Sequence, residues 1–326
     1  MKTISFILPV YNVENYLKET FYSIYSQTDE RCEIILIDDG STDASPAIVD
    51  ELGRLDNVKI MHKENGGPSL ARNIGLSMAE GKYVTFVDSD DRLAKGSVKR
   101  LLNLIDSAGI DIDLIFMQAI KFYPDGTSER IGDGITCSGI RNKTKAQLVE
   151  YIASRPKFPG SACTKVYLKD FLVKNGILFP DDGMLSEDLG FARDCIMLAE
   201  RYAVLDSPYY EYRQRNNSRS SSSNVKAVTS ILKFIRETLR KYPVTMERMY
   251  NFNVVSFCAY EYSVCLLNYA LLEKEEKSKL KKDMDRYKWV LSCSKTKYGR
   301  IINIMVRFLG VDLTAKCVKY VYMKRK

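Results

Sequence analysis

Short apolar runs alternate with helix-periodic segments over the first hundred residues. Ile4–Val10 is a continuous apolar run ending in Tyr11-Asn12. Residues 13–27 follow with helical spacing, with Leu17, Phe21, Ile24 and Tyr25 on one side. Glu33–Ile37 reads as a second strand, stopped by Asp38-Asp39-Gly40-Ser41. A helix is expected over Ser45–Leu55, a short strand over Val58–His62, and a helix over Ser69–Ala79 with Pro68 near its first turn. Tyr83–Val87 is another apolar run, ending in Asp88-Ser89-Asp90-Asp91. Uninterrupted apolar strands separated by helices predict a mostly parallel central sheet covered on both faces. Ligands of such sheets bind outside the carboxyl ends of the strands. Three polar clusters, Tyr11-Asn12, Asp38-Asp39 and Asp88-Ser89-Asp90, are therefore expected at one edge.

Val98–Ser107 and Ile112–Phe122 extend this domain, and Gly126–Gly139 reads as a hairpin or loop. Helices are predicted over Thr144–Ser154, Val166–Lys174 and Ser186–Tyr202. The Ser/Asn run Asn216–Asn224 is expected to be flexible unless a ligand orders it. From Val225 onward the pattern is almost entirely helical. The expected fold is α/β, with residues 1–225 as one domain and 226–326 as a helical region. A chain of 326 residues suits two such parts. Asn251–Leu272 is long and weakly charged, but Glu261 in its middle favours a buried helix over a membrane span.

Composition narrows the chemistry. His62 is the single histidine, so a zinc site built on two or three histidines is excluded. A surface or edge position suits it better than a catalytic one. Eight cysteines contain no CxxC pair and read as scattered thiols of a reducing compartment. Residues 1–12 run straight into a strand without a leader-like segment, which leads us to expect a cytoplasmic protein. The charge is uneven. Residues 277–326 hold fifteen Lys or Arg against three Asp, a net +12, which leaves −4 on the rest of a chain whose total is +8.

Asp88-Ser89-Asp90 places two carboxylates at a strand end, hard oxygen donors suited to Mg²⁺ or Mn²⁺ bound together with phosphates. An isolated Asp-x-Asp is equally well a helix cap or a solvated turn. Its neighbours add weight. Asp38-Asp39 can accept hydrogen bonds from a base or ribose, and Gly66-Gly67 allows close backbone approach. Arg72, in the first turn of a helix, offers a planar fork to a phosphate or base. Neither GxGxxG nor GxxxxGK[ST] occurs, so no dinucleotide fingerprint or P-loop competes.

Four motifs, in order, resemble the family 2 glycosyltransferases of the GT-A fold. They are Pro9-Val10-Tyr11-Asn12, Ile37-Asp38-Asp39-Gly40-Ser41-Thr42-Asp43, Gly66-Gly67-Pro68-Ser69-x-Ala71-Arg72-Asn73-x-Gly75 and Val87-Asp88-Ser89-Asp90-Asp91. The resemblance continues through Phe179-Pro180 and Ser186-Glu187-Asp188-x-x-Phe191 to Tyr212-Arg213-x-Arg215-x-x-Ser218. Its second half is most similar to bacterial enzymes of capsular, exopolysaccharide and surface-antigen assembly.

The resemblance implies roles. Pro9 and Tyr11 would line the nucleobase pocket, with Asp39 on the uracil and Asp38 beside it. Arg72 would flank the base or diphosphate. Asp88 would reach the ribose or share the metal, and Asp90 would ligate Mn²⁺ or Mg²⁺ on the diphosphate. Asp188 would be the general base of an inverting hexosyl or N-acetylhexosaminyl transfer. The donor would be a nucleotide sugar, usually a UDP-sugar, and the acceptor a hydroxyl of a lipid-linked oligosaccharide or polysaccharide. Arg213 and Arg215 would belong to a lid near the diphosphate. Many relatives carry a metal-binding histidine in that lid. This chain has none after His62, so its arginines would bind phosphate directly.

Rival readings stand beside these. Asp188 also suits the first turn of a helix for stability alone, and Glu187 and Asp182 are neighbouring acids. A nucleotidyltransferase, or a degenerate transferase fold serving as a sugar- or membrane-binding subunit, would use similar residues. The basic, aromatic tail suits an anionic membrane surface at the inner face of the cytoplasmic membrane, or simple packing on its own domain. No nucleic-acid motif is present.

Overall fold

The computed structural model describes residues 2–123, 126–131, 134–180, 187–214, 224–244 and 251–324. The strands are β1 (Ile4–Val10), β2 (Cys32–Asp38), β3 (Val58–His62), β4 (Tyr83–Phe86), β5 (Arg92–Leu93), β6 (Leu114–Phe122), β7 (Ser128–Ile131), β8 (Lys165–Leu168) and β9 (Tyr202–Arg213). The helices are α1 (Leu17–Tyr25), α2 (Ser45–Leu52), α3 (Pro68–Met78), α4 (Ser97–Ser107), α5 (Cys137–Ile140), α6 (Lys145–Ala153), α7 (Lys169–Lys174) and α8 (Glu187–Leu198). They continue as α9 (Asn224–Lys241), α10 (Asn251–Ala270), α11 (Lys274–Tyr287) and α12 (Lys297–Met323).

Two compact units emerge. The first holds residues 1–141, 160–183 and 191–216, and the second holds 142–159, 184–190 and 217–326. The second unit thus takes α6 from the middle of the chain as well as the C-terminal helices. The Ser/Asn run at 216–223 lies outside the described residues.

The first unit is built on one sheet of order β3-β2-β1-β4-β8-β6-β9-β5, with β7 hairpinned onto β6. β1, β2, β3 and β4 pair in parallel, as their continuous apolar runs require. All seven residues of β2 are buried, with α2 and α3 packed against the strand. Beyond β4 the sheet turns mixed. β8 runs antiparallel to β4 and β6, β5 runs antiparallel to β9, and β6 and β9 are parallel. The expected α/β class stands, with the parallel character confined largely to the N-terminal half.

Two elements depart from the periodicity reading. The helix predicted over 166–174 begins as β8, because Lys165-Val166-Tyr167-Leu168 is fully buried between two antiparallel neighbours. The helix predicted over 186–202 stops at Leu198, and β9 takes Tyr202 onward. Close packing fixes the remaining geometry. A Cβ on Gly75 of α3 would stand 2.3 Å from Ile7 Cγ2, so only glycine lets this helix lie so near β1.

In the second unit, α10 is buried along most of its length, Glu261 included. Phe158 stacks on Phe257 of α10 with ring centroids 4.6 Å apart. The Ser256 hydroxyl donates to the Ala153 carbonyl of α6 at 3.2 Å. The Tyr262 hydroxyl reaches the Met284 carbonyl of α11 at 2.7 Å. No described helix is long and apolar enough to cross a membrane.

Candidate active site

Parallel register carries the motifs to one edge. Val10 pairs with Asp38, and Asp38 with His62. Ile7 pairs with Phe86, and the Val87 amide donates to the Ile7 carbonyl at 3.0 Å. The Ser89 hydroxyl then donates to the Pro9 carbonyl at 2.6 Å, tying the Asp88–Asp90 turn to the end of β1. Thr20 of α1 braces this turn from below, its buried hydroxyl 3.0 Å from the Ser89 carbonyl and 2.5 Å from that of Asp91.

Asp39 is buried and organises the glycine loop. Its Oδ1 accepts from the Gly66 amide at 2.9 Å and from Lys63 Nζ at 2.5 Å. Its Oδ2 accepts from the Gly67 amide at 2.8 Å. The Asn65 amide group donates to the Asp39 carbonyl at 2.9 Å. Asp38 faces elsewhere. Its carboxylate takes His62 Nδ1 at 2.8 Å and the Ser41 amide at 3.1 Å. His62 also meets Asp50 at 3.1 Å through Nε2. The hydrogen bond to Asp38 is the main reason its pKa is raised. Tyr11 is half exposed beside these groups, and Asn12 takes a positive φ of 51° while its side chain accepts from the Thr42 amide.

Arg72 lies nearly buried at the start of α3. Its guanidinium donates to Asp88 at 2.9 Å and sits 5.2 Å over the Phe179 ring. Phe179 is held by a reciprocal pair of bonds with the Asn73 side chain, at 2.9 and 3.0 Å. It also stacks on Phe191 at 4.0 Å. The aromatic residues of the later motifs therefore form the wall behind Arg72.

Asp88 and Asp90 are both partly exposed, whereas Asp91 is buried. Asp91 accepts from the Tyr210 hydroxyl and from the Arg213 amide, each at 2.7 Å. Burial, reinforced by the charges of Asp88 and Asp90, pushes its carboxyl up to about 8. The same Tyr210 hydroxyl accepts the Asp88 amide at 3.2 Å. Arg213 Nε donates to the Asp90 carbonyl at 2.8 Å, and its other end pairs with Glu19 at 2.6 Å. Glu19 is held below the usual carboxylate range. Burial opposes this, but hydrogen bonds from Arg92 and Arg213 outweigh it.

Sequence reasoning missed Thr20, Lys63, Tyr210 and Asp91 as supports of the turn and loop. Asp91 closes a recognised motif and Tyr210 lies two residues before another, so these two gave a local signal, whereas Thr20 and Lys63 gave none. Among the expected residues, Pro9, Tyr11, Asp38, Asp39, Arg72, Asp88, Asp90 and Arg213 all belong to this strand-end region of the first unit. Arg215 and Asp182 lie outside the described residues. Asp188 stands in the first turn of α8, in the segment assigned to the second unit. Among the described residues no three acidic, histidine or cysteine side chains form a metal cage. Asp88 and Asp90 are two partly exposed carboxylates of one turn, hard oxygen donors of the type a Mg²⁺ or Mn²⁺ ion takes together with phosphate and water oxygens, and Asp88 already pairs with Arg72.

Residues 5–162 match the family model described as glycosyl transferase family 2. Through this domain the chain belongs to the family 2 glycosyltransferases. It is 32% identical over 227 residues to the minor teichoic acid biosynthesis protein GgaB of Bacillus subtilis (strain 168), covering 68% of this chain and 24% of GgaB. It is 34% identical over 230 residues to the poly(ribitol-phosphate) beta-N-acetylglucosaminyltransferase TarS of Staphylococcus aureus (strain MW2), covering 69% of this chain and 38% of TarS. The chain thus spans well under half the length of either curated relative. The crystal structure of S. aureus TarS 1–349 in complex with UDP-GlcNAc superposes with a TM-score of 0.73 at 25% identity, covering 100% of this chain and 93% of that one. The GT-A fold expected of this family 2 glycosyltransferase is therefore the fold it has.

Proposed function

We propose that this chain is an inverting, metal-dependent glycosyltransferase of bacterial surface-polysaccharide assembly. It moves a hexosyl or N-acetylhexosaminyl group from a UDP-sugar to a hydroxyl of a lipid-linked or polysaccharide acceptor. One observation carries this reading. Four motifs far apart in sequence meet at one sheet edge, in a chain whose full length superposes on a UDP-GlcNAc-bound transferase. The teichoic acid relatives support a cell-surface polymer as the destination.

The division of labour follows from charge. Tyr11 and the loop held by Asp39 receive the nucleobase, while Asp38 keeps the strand end in shape through His62. Asp90 and Asp88 hold Mg²⁺ or Mn²⁺, whose contribution is to offset charge gathering on the departing diphosphate. Arg72 and Arg213 add fixed positive charge to the same edge, and need no reorganisation as the bond breaks. Asp188 takes the proton of the acceptor hydroxyl. The acceptor oxygen bonds to the anomeric carbon as the bond to the diphosphate oxygen breaks, and the centre inverts.

Asp188→Asn tests the base. Single-turnover rates should fall at least ~100-fold, the lower range for loss of a general base, with donor affinity nearly intact. A collapse of donor affinity at unchanged rate would make Asp188 a structural residue. Release of pyrophosphate in place of UDP would favour a nucleotidyltransferase.

A further inference from the structure

The last helix wears an apolar stripe on the outside. In α12, Gly299, Ile302 and Val306 face inward and are buried. Ile301, Ile304 and Phe308 are exposed, Phe308 by 84%. Spacings of three and four residues put these three side chains on one narrow face. Tyr298 and Leu309 widen the face on one side, both exposed, and Arg300 and Arg307 flank it on the other. Gly310 then breaks the helix at φ 71° and ψ 176°, a conformation essentially reserved for glycine. Beyond the break, Leu313, Tyr320 and Val321 are again exposed, with Lys316 and Lys324 exposed among them. Asp312 is the one acid in α12, and it is spoken for by Lys281 and the Tyr269 hydroxyl.

We propose that this face docks the protein on an anionic lipid surface. An exposed phenylalanine in one row with two exposed isoleucines is unfavourable in water, and a protein groove or a lipid interface would each relieve it. Charge decides between them. The stripe is bordered by Arg and Lys and carries no unpaired acid, the pattern of helices that lie in the plane of a negatively charged interface. Arginine and lysine stems can extend from such a face while their heads stay with the phosphates. The tyrosines suit the same boundary, apolar in body and polar at the tip. The helix is not apolar enough to cross, so it rests on the surface. This proposal stands on α12 alone and is independent of the catalytic reading.

The test is sedimentation of the full chain with phosphatidylglycerol–phosphatidylcholine vesicles and with phosphatidylcholine vesicles. Phe308→Ser and the double variant Ile304→Ser/Phe308→Ser serve as comparisons. Both positions are solvent-exposed, so the fold should survive, as an unchanged thermal melt would verify. The intact chain should bind the anionic vesicles, and binding should weaken with salt. Phe308→Ser should lower the partition constant about 10-fold or more, from the loss of one buried aromatic. Equal binding by parent and double variant would overturn the proposal. So would a parent dimer, seen by light scattering without lipid, that Phe308→Ser dissolves, because the face would then belong to a second copy.

Discussion

Asp39→Asn separates a scaffold from a base contact. In the folded protein this carboxylate takes two backbone amides and one ammonium, and its side chain is 4% exposed. Asparagine fits the same space but offers one acceptor oxygen and no charge. At least one glycine amide loses its partner, and Lys63, only 13% exposed, loses its counter-charge. A hydrogen bond to a charged group is worth about 1.5–3 kcal/mol, so a net loss of about 2–3 kcal/mol is expected. For a domain of roughly 150–250 residues that lowers Tm by about 4–12 °C. The assay is a urea melt of the ligand-free protein, with UDP affinity measured in parallel. Lys63→Met on the Asp39→Asn background should recover part of the stability, because the stranded ammonium is removed. A ligand-free melt within about 0.5 kcal/mol of the parent would show that the Asp39 charge does not hold the glycine loop. Asp39 would then act on the ligand alone, and the loop would hold its shape without it.

Two further outcomes follow from neighbouring geometry. Gly75→Ala should destabilise by about 1–3 kcal/mol in a chemical melt, since the new methyl would overlap Ile7 Cγ2 and push α3 off β1; a neutral result would mean that α3 is not so closely seated. The raised pKa of His62 gives a pH dependence, because its pairing with Asp38 contributes fully below the unfolded value of about 6.5 and is lost as pH rises through the folded value. Stability should therefore decline as pH rises above about 6.5, and the difference between parent and His62→Gln should shrink as it does so. A constant difference would remove His62 from the titration. Asp91 adds a decline of the same sign, since its folded carboxyl keeps a proton that the unfolded chain releases, and subtracting the variant cancels it.

Legibility followed the locality of the signal. β1, β2, β3 and β4 were readable because each is an apolar run with a polar stop, and parallel register then forces the stops to one edge. β8 was read as helix because it abuts α7 without a break, with Leu168 closing the strand and capping the helix. β9 was hidden by Asp206-Ser207-Pro208 in its middle, where the pairing with β6 shifts register. Within the site, the motif residues were visible and their supports were not. Tyr210 lies 119 residues from Asp91, and Thr20 lies 69 from Ser89. No spacing rule reports a bond that only the fold creates. The turning of Asp38 toward His62 likewise depends on β2 and β3 lying side by side.

The proposed role of Asp88 and Asp90 is to hold a divalent ion against the diphosphate of a nucleotide sugar. Its most direct measurement is UDP release from a panel of UDP-sugars by the full chain, with and without Mn²⁺, for the parent and for Asp90→Asn. The parent should release UDP only with the ion, and Mn²⁺ should have no effect on a folded Asp90→Asn protein. Mn²⁺-stimulated UDP release that persists in Asp90→Asn would contradict it.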